Sequence, residues 1–270
     1  MRGRYKELNW EGSGYHGFPV ERGQDDYVSA EDAEIWSEFD SVLASAKRGD
    51  FSRVSRLVTI YDETDSWMLG TACCDLIGDI GSRPLFETLR PAVTSVIDPT
   101  YSVDLGRSLA VWGNLTVVPT LLETLESIAE FVDAPALVQM ISFLLEPEPG
   151  PLADTDGLHN FAAYASMVRG RFNDTAARVG TEDAIVLFGD LFSVERLIAG
   201  ICDSVNGGRL DSYMRHKFEA TTGVDCSGFY VDEILQPLRV LAIIEEFEDS
   251  ARSEDYVRGK RYFFAHPVPD

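Results

Sequence analysis

The side chains able to do chemistry are few and scattered. His16, His159, His216 and His266 stand far apart, and none pairs with a second histidine or a carboxylate at the i, i+4 spacing of a helical zinc motif such as His-Glu-x-x-His. They read as surface or capping residues. Gly106-Arg107-Ser108-Leu109-Ala110 approximates the Gly-x-Ser-x-Gly elbow of acyl-transfer enzymes, but that motif acts from a strained strand-to-helix turn and these residues lie inside a helical apolar stripe. Cys73 continues the apolar stripe of its helix, where a thiol behaves as a small hydrophobe, and Cys74 lies on the neighbouring face. Gly12-Ser13-Gly14-Tyr15-His16-Gly17 has glycines enough to approach a phosphate, yet lacks a preceding strand and a following Lys-Ser/Thr, so it reads as a loop. Glu245, Glu246, Glu248 and Asp249 would need Glu-x-x-His partners on other helices to bind a di-metal centre, and without them form a solvated acidic face. No catalytic residue, cofactor or metal ligand is assigned.

Elements, then, must be sought for what they present to a partner. Residues 1–28 hold six glycine or proline turns among Tyr5, Trp10, Tyr15 and Phe18, which predicts an irregular arm packed on the body. Ser29 with Asp32 opens a helix whose Ile35, Phe39, Val42, Leu43 and Ala46 recur at the helical period until Gly49. Asp50 precedes a stripe of Phe51, Val54, Leu57, Val58 and Tyr61, and Asp65 one of Leu69, Ala72, Cys73, Leu76, Ile77 and Ile80. Ser82 starts a helix with Leu85, Phe86, Leu89 and Val93, in which Pro91 should introduce a kink. Leu69-Gly70 through Leu85-Phe86-Glu87-Thr88-Leu89 then returns, 36 residues on, as Leu105-Gly106 through Leu121-Leu122-Glu123-Thr124-Leu125. Gly78 falls on Gly113 and Pro84 on Pro119 at an offset of 35. A helix pair has been used twice, at a period between tetratricopeptide and HEAT repeats.

Leu137, Met140, Ile141 and Leu144 give a further helix, ended by the prolines of Glu146-Pro147-Glu148-Pro149-Gly150-Pro151. Beyond it the apolar spacing predicts helices around Phe161–Val168, from Thr181 with Ile185, Phe188 and Phe192, from Ser193 with Val194, Leu197, Ile198 and Ile201, and over Tyr213–Thr222. The last, Pro237–Asp249, should turn Leu238, Leu241, Ala242 and Phe247 inward. Only Tyr262 to His266 alternates as a strand would, too briefly to build a sheet. The expected fold is all-α: a HEAT/armadillo-like solenoid of stacked antiparallel helix pairs, one domain over 29–270 with a possible break at 146–157.

Composition bounds the function. The 270 residues carry 23 basic and 45 acidic side chains, a formal charge of −22, which disfavours direct binding to nucleic acid or anionic lipid. Four irregularly placed cysteines suit a reducing cytoplasm rather than a disulfide framework. Met1 is followed by no apolar leader, and windows such as Leu137–Leu145 fall short of the ~18 apolar residues that cross a bilayer, so a cytoplasmic location is expected. The charge is most uneven over Asp98–Asp156, where ten acids face Arg107 alone. Glu123, Glu126 and Glu130 share one helix face at i, i+3, i+7 and, with Asp133, Glu146 and Glu148, are the expected partner-binding residues, forming an acidic wall that steers a basic protein toward it. At the other extreme, Arg252, Arg258, Lys260 and Arg261 lead into Tyr262-Phe263-Phe264, which either dock as an end cap or form a binding patch.

An acidic helical-repeat chain ending in Gly259-Lys260-Arg261-Tyr262-Phe263-Phe264-Ala265-His266-Pro267-Val268-Pro269 resembles the helical immunity proteins of bacterial polymorphic-toxin systems. The resemblance implies a non-enzymatic protein that binds and neutralises a cognate toxin domain, often a nuclease or other cationic enzyme. The competing expectation is a HEAT-like scaffold or adaptor holding a peptide or protein, its acidity serving solubility. An enzyme is the third class, since helical-repeat folds occasionally host lyases or glycosylases.

Overall fold

The computed structural model describes residues 30–93, 99–129, 134–147, 150–231, 234–250 and 255–269, so the expected N-terminal arm and the Ser29 cap lie outside the described residues. Among the described residues the architecture is mostly helical: α1 (Ala30–Ala46), α2 (Arg56–Glu63), α3 (Trp67–Ile80), α4 (Arg83–Val93), α5 (Pro99–Trp112), α6 (Val118–Ile128), α7 (Ala134–Leu145), α8 (Phe161–Val179), α9 (Val194–Asn206), α10 (Ser212–Thr222) and α11 (Pro237–Glu248). Three antiparallel hairpins interrupt them, β1 (Val186–Leu187) with β2 (Asp190–Leu191), β3 (Tyr230–Val231) with β4 (Ile234–Leu235), and β5 (Tyr262–Phe263) with β6 (His266–Pro267). The described chain gathers into two compact units, one taking residues through Ala72 together with Ser193–Val268, the other Cys73–Phe192; the proline-rich 146–157 stretch lies inside the second.

In the second unit the apolar stripes read from sequence become the core. Leu76, Ile77, Leu109, Leu121, Leu125, Leu137 and Ile141 are all buried, and α5 packs on α4, α6 and α7, with α6 also against α7 and α8. The repeat shows in burial, because Phe86 and Leu122, and Leu89 and Leu125, are buried alike while Glu87 and Glu123 are both exposed. Its glycines do not correspond. Gly78 is helical and sits against Val111, where a Cβ would come within 2.7 Å, whereas Gly113 ends α5 at φ +79. The turn after α3 is made instead by Gly81, and α4 runs on through Pro91 to Val93.

The helix expected from Thr181 is absent, and a hairpin stands in its place. Phe188 and Gly189 have φ of 52 and 70, the left-handed pair of a type I′ turn that closes β1 onto β2. The turn amides then cap another element: Phe188 N donates to Phe143 O at 2.6 Å and Gly189 N to Leu144 O at 2.9 Å, satisfying carbonyls left open at the end of α7. Val186 N donates to Gly113 O at 2.8 Å and Leu115 N to Ala184 O at 2.8 Å, so the same segment ties down the end of α5. Nearby, Asp183 takes Asn114 Nδ2 at 2.8 Å and pairs with Arg83, while Phe86 stacks on Trp112 at 4.4 Å.

In the first unit α1 and α2 pair through buried Trp36, Phe39, Leu57 and Ile60, and Arg56 forks onto Glu38 at 2.8 and 3.0 Å, holding that carboxyl below its ordinary range. Ser193 caps α9 as expected, its hydroxyl accepting from Arg196 N at 3.2 Å. On α11 Phe247 turns inward as expected, but its companions there are Val240 and Ile244 rather than Leu238, Leu241 and Ala242, and Leu238 is 84% exposed. The aromatic tail docks. Phe263 is fully buried, and the Phe264-Ala265 turn, with φ of 50 and 64, donates its amides to Ala220 O at 2.8 Å and Thr221 O at 2.9 Å at the end of α10.

Candidate functional site

The residues singled out for chemistry are mostly committed elsewhere. Ser108 is buried inside α5 and its hydroxyl donates to Cys74 O at 2.6 Å, so it has neither the elbow geometry nor an open approach. Burial pushes the Cys73 and Cys74 thiols far above their ordinary range, away from the reactive thiolate. His159 and His266 are exposed; His216 is buried in α10, a departure from the surface role expected of it, and His16 lies outside the described residues. Among the described residues no three His, Cys, Asp or Glu side chains gather as metal ligands, and no helix is long and apolar enough to cross a membrane.

The acidic residues divide. Glu123 and Glu126 stand exposed on α6, one turn apart, opposite the buried Leu121, Leu122, Leu125 and Ile128. At the repeat-equivalent positions α4 carries Glu87 and Arg90, both exposed, so the negative face is stronger on α6 than on α4. Glu130, Asp133 and Glu148 lie outside the described residues. Glu146 corrects the expectation of a surface carboxylate, for it is 3% exposed.

Its burial follows from the local chain path. Pro147 stops α7, and after an extended Gly150 a short helical turn over Pro151–Ala153 packs back against the helix. There Glu146 Oε2 accepts from Ser142 Oγ at 2.9 Å and from Leu152 N at 3.1 Å. Gly150 lies close against this carboxylate, for a Cβ there would come 2.7 Å from Glu146 Oε1 and the side chain would have to give way. Oε1 itself faces Arg171 Nε of α8 at 3.9 Å, beyond hydrogen-bond reach, and the Arg171 side chain is 52% exposed. Tyr164 supports the arrangement by donating to Leu152 O at 3.2 Å; burial, with the Glu146 charge adding to it, raises that phenol well above its ordinary range.

The result is an open cleft of about 250 Å³ with Glu146 as its buried polar group, Pro151, Leu152 and Met167 as apolar lining, and Arg171 and Asp174 on its α8 side. Sequence reasoning found Glu146 but none of its neighbours across the cleft. The available signal was compositional: α8 carries Arg169, Arg171 and Arg178 soon after the most acidic stretch of the chain. Chemically the cleft can accept hydrogen bonds from a cation through carboxylate oxygens and cover an aliphatic stem with its apolar wall. No family model, no curated protein and no solved structure matches this chain.

Proposed function

We propose that this chain is a non-enzymatic binding protein whose partner is a basic protein, and that it acts as an immunity protein neutralising a cationic, nuclease-like toxin domain. In this reading the helix pairs α3–α4 and α5–α6, continued by α7 and α8, form a short solenoid that presents carboxylates on one side. The observation that carries it is the exposure of Glu123 and Glu126 on α6, side by side, in a chain of formal charge −22. Carboxylates so placed raise the encounter rate with a positive surface and can imitate the phosphates that a nuclease binds.

The test is retention of host protein on the immobilised chain at low salt, eluted by a salt gradient. A single basic polypeptide leaving as salt rises, and retained less by the Glu123→Gln/Glu126→Gln double variant, is the expected result; the absence of any basic species sinks the proposal. A second reading, a scaffold for an apolar segment, draws on other residues. Val231, Ile234 and Leu238 are 41%, 66% and 84% exposed on β3, β4 and α11 of the first unit. A partner held there would be insensitive to salt and would leave when Leu238 is replaced by Asp.

A further inference from the structure

We propose that the cleft between α7 and α8 is a socket for one arginine side chain of the partner, with Glu146 and Asp174 as acceptors; this rests on the reading that the partner is basic. Size points to a single side chain, because about 250 Å³ lies below the ~300–1,000 Å³ of ordinary small-molecule pockets. The lining points to an amphipathic one: Pro151, Leu152 and Met167 suit a methylene stem, and polar groups occur at Glu146, Arg171 and Asp174. Charge selects a cation, since two carboxylates face one guanidinium.

Glu146 is built for the task. Ser142 Oγ and Leu152 N fix its Oε2, while Oε1 meets the Arg171 guanidinium only at 3.9 Å. A planar guanidinium entering the cleft can give one N–H to that oxygen and another to Asp174, a forked geometry that a lysine ammonium does not match. Arg171, half exposed on its long stem, holds the place of the incoming group and swings outward when it arrives. The bare Gly150 leaves the space around Oε1 that a Cβ would fill.

The experiment titrates the full chain with N-acetyl-L-arginine amide, N-acetyl-L-lysine amide and the neutral isostere N-acetyl-L-citrulline amide, following the Met167 methyl and Leu152 amide resonances. Saturable shifts with the arginine probe, weaker with lysine and absent with citrulline, are expected. Losing one charge-assisted acceptor should weaken the arginine probe by about tenfold or more in Glu146→Gln and in Asp174→Asn. Glu146→Gln keeps an oxygen for Ser142 and Leu152, and Asp174 is exposed, so both variants should fold, which their thermal transitions check. Arg171→Gln removes the competitor and should tighten the probe several-fold. Equal response to citrulline, indifference to both carboxylate substitutions, or weaker binding in Arg171→Gln overturns the socket. If the arginine probe binds as described but the salt-gradient experiment retains no basic protein, the partner reading fails and the cleft remains a guanidinium site. If a basic protein is retained with equal strength by wild type and Asp174→Asn, the socket fails and the partner reading remains.

Discussion

The hairpin β1–β2 of one unit and the hairpin β5–β6 of the other do the same job with different residues. Each closes on two left-handed residues, Phe188-Gly189 and Phe264-Ala265, and each turns both amides onto the last carbonyls of a helix, α7 in the first case and α10 in the second. A helix end that would otherwise leave buried carbonyls unsatisfied is capped by a turn distant in sequence. Each turn phenylalanine is buried, with Phe188 edge-on to Phe143 at 5.9 Å and Phe264 beneath Lys47 Nζ at 4.7 Å. The second turn residue separates them. At Gly189 a Cβ would lie 2.7 Å from Leu145 O, so glycine is forced by a backbone atom, while Ala265 carries its Cβ at a φ that glycine would occupy at less cost.

That comparison can be broken first at the aromatic. Phe188→Ala and Phe264→Ala each delete a buried ring and should lower stability by about 3–5 kcal/mol, read as a fall in the urea midpoint. Near-equal losses support equivalent plugs, and a loss at only one position shows that one turn is held by its backbone alone. Gly189→Ala comes next. The left-handed φ costs ~1–2 kcal/mol and the clash with Leu145 O adds to it, so a total loss on the order of 2–3 kcal/mol is expected. A neutral Gly189→Ala would show that the turn can shift away from α7. Lys47→Met keeps the stem and removes the cation over Phe264; the expected loss, ~0.5–1 kcal/mol, should persist at high salt better than an exposed ion pair would.

Why the sequence shows one part of this and hides another follows from spacing. Helices α3, α5, α7 and α9 are legible because Leu69 to Ile80, Leu105 to Leu109, Leu137 to Leu144 and Val194 to Ile201 repeat at the helical period and are buried where the period puts them. Ile185, Phe188 and Phe192 imitate that period by coincidence, which hides β1–β2, and Phe-Gly and Phe-Ala lack the Asn-Gly signature of a type I′ turn, so of β5–β6 only the brief alternation over Tyr262 to His266 shows. On α11 Phe247 is buried as expected, but Leu238, Leu241 and Ala242 lie out of its phase, and only packing shows that Val240 and Ile244, which share it, form the inward face. Glu146 is visible as an acid after a helix, but its burial depends on Leu152 N returning to it and on α8 lying alongside. Those are tertiary events that no local pattern encodes.

The finest test of the comparison is Ala265→Gly, which rebuilds the Phe-Gly turn of β1–β2 in β5–β6. Two effects oppose each other. Relief of the left-handed alanine stabilises the folded chain by ~1–2 kcal/mol, while glycine's extra freedom in the unfolded chain costs ~0.5–1 kcal/mol. The amide at position 265 still donates to Thr221 O, so the cap on α10 is kept. A net gain of roughly 0.5 kcal/mol is therefore expected, seen as a small rise in the urea midpoint at unchanged slope. A clear loss would mean that the alanine methyl contributes packing against its surroundings that exceeds the backbone strain, and that the two turns, alike in hydrogen bonding, are stabilised on opposite sides of the chain: one by what its backbone avoids, the other by what its side chain touches.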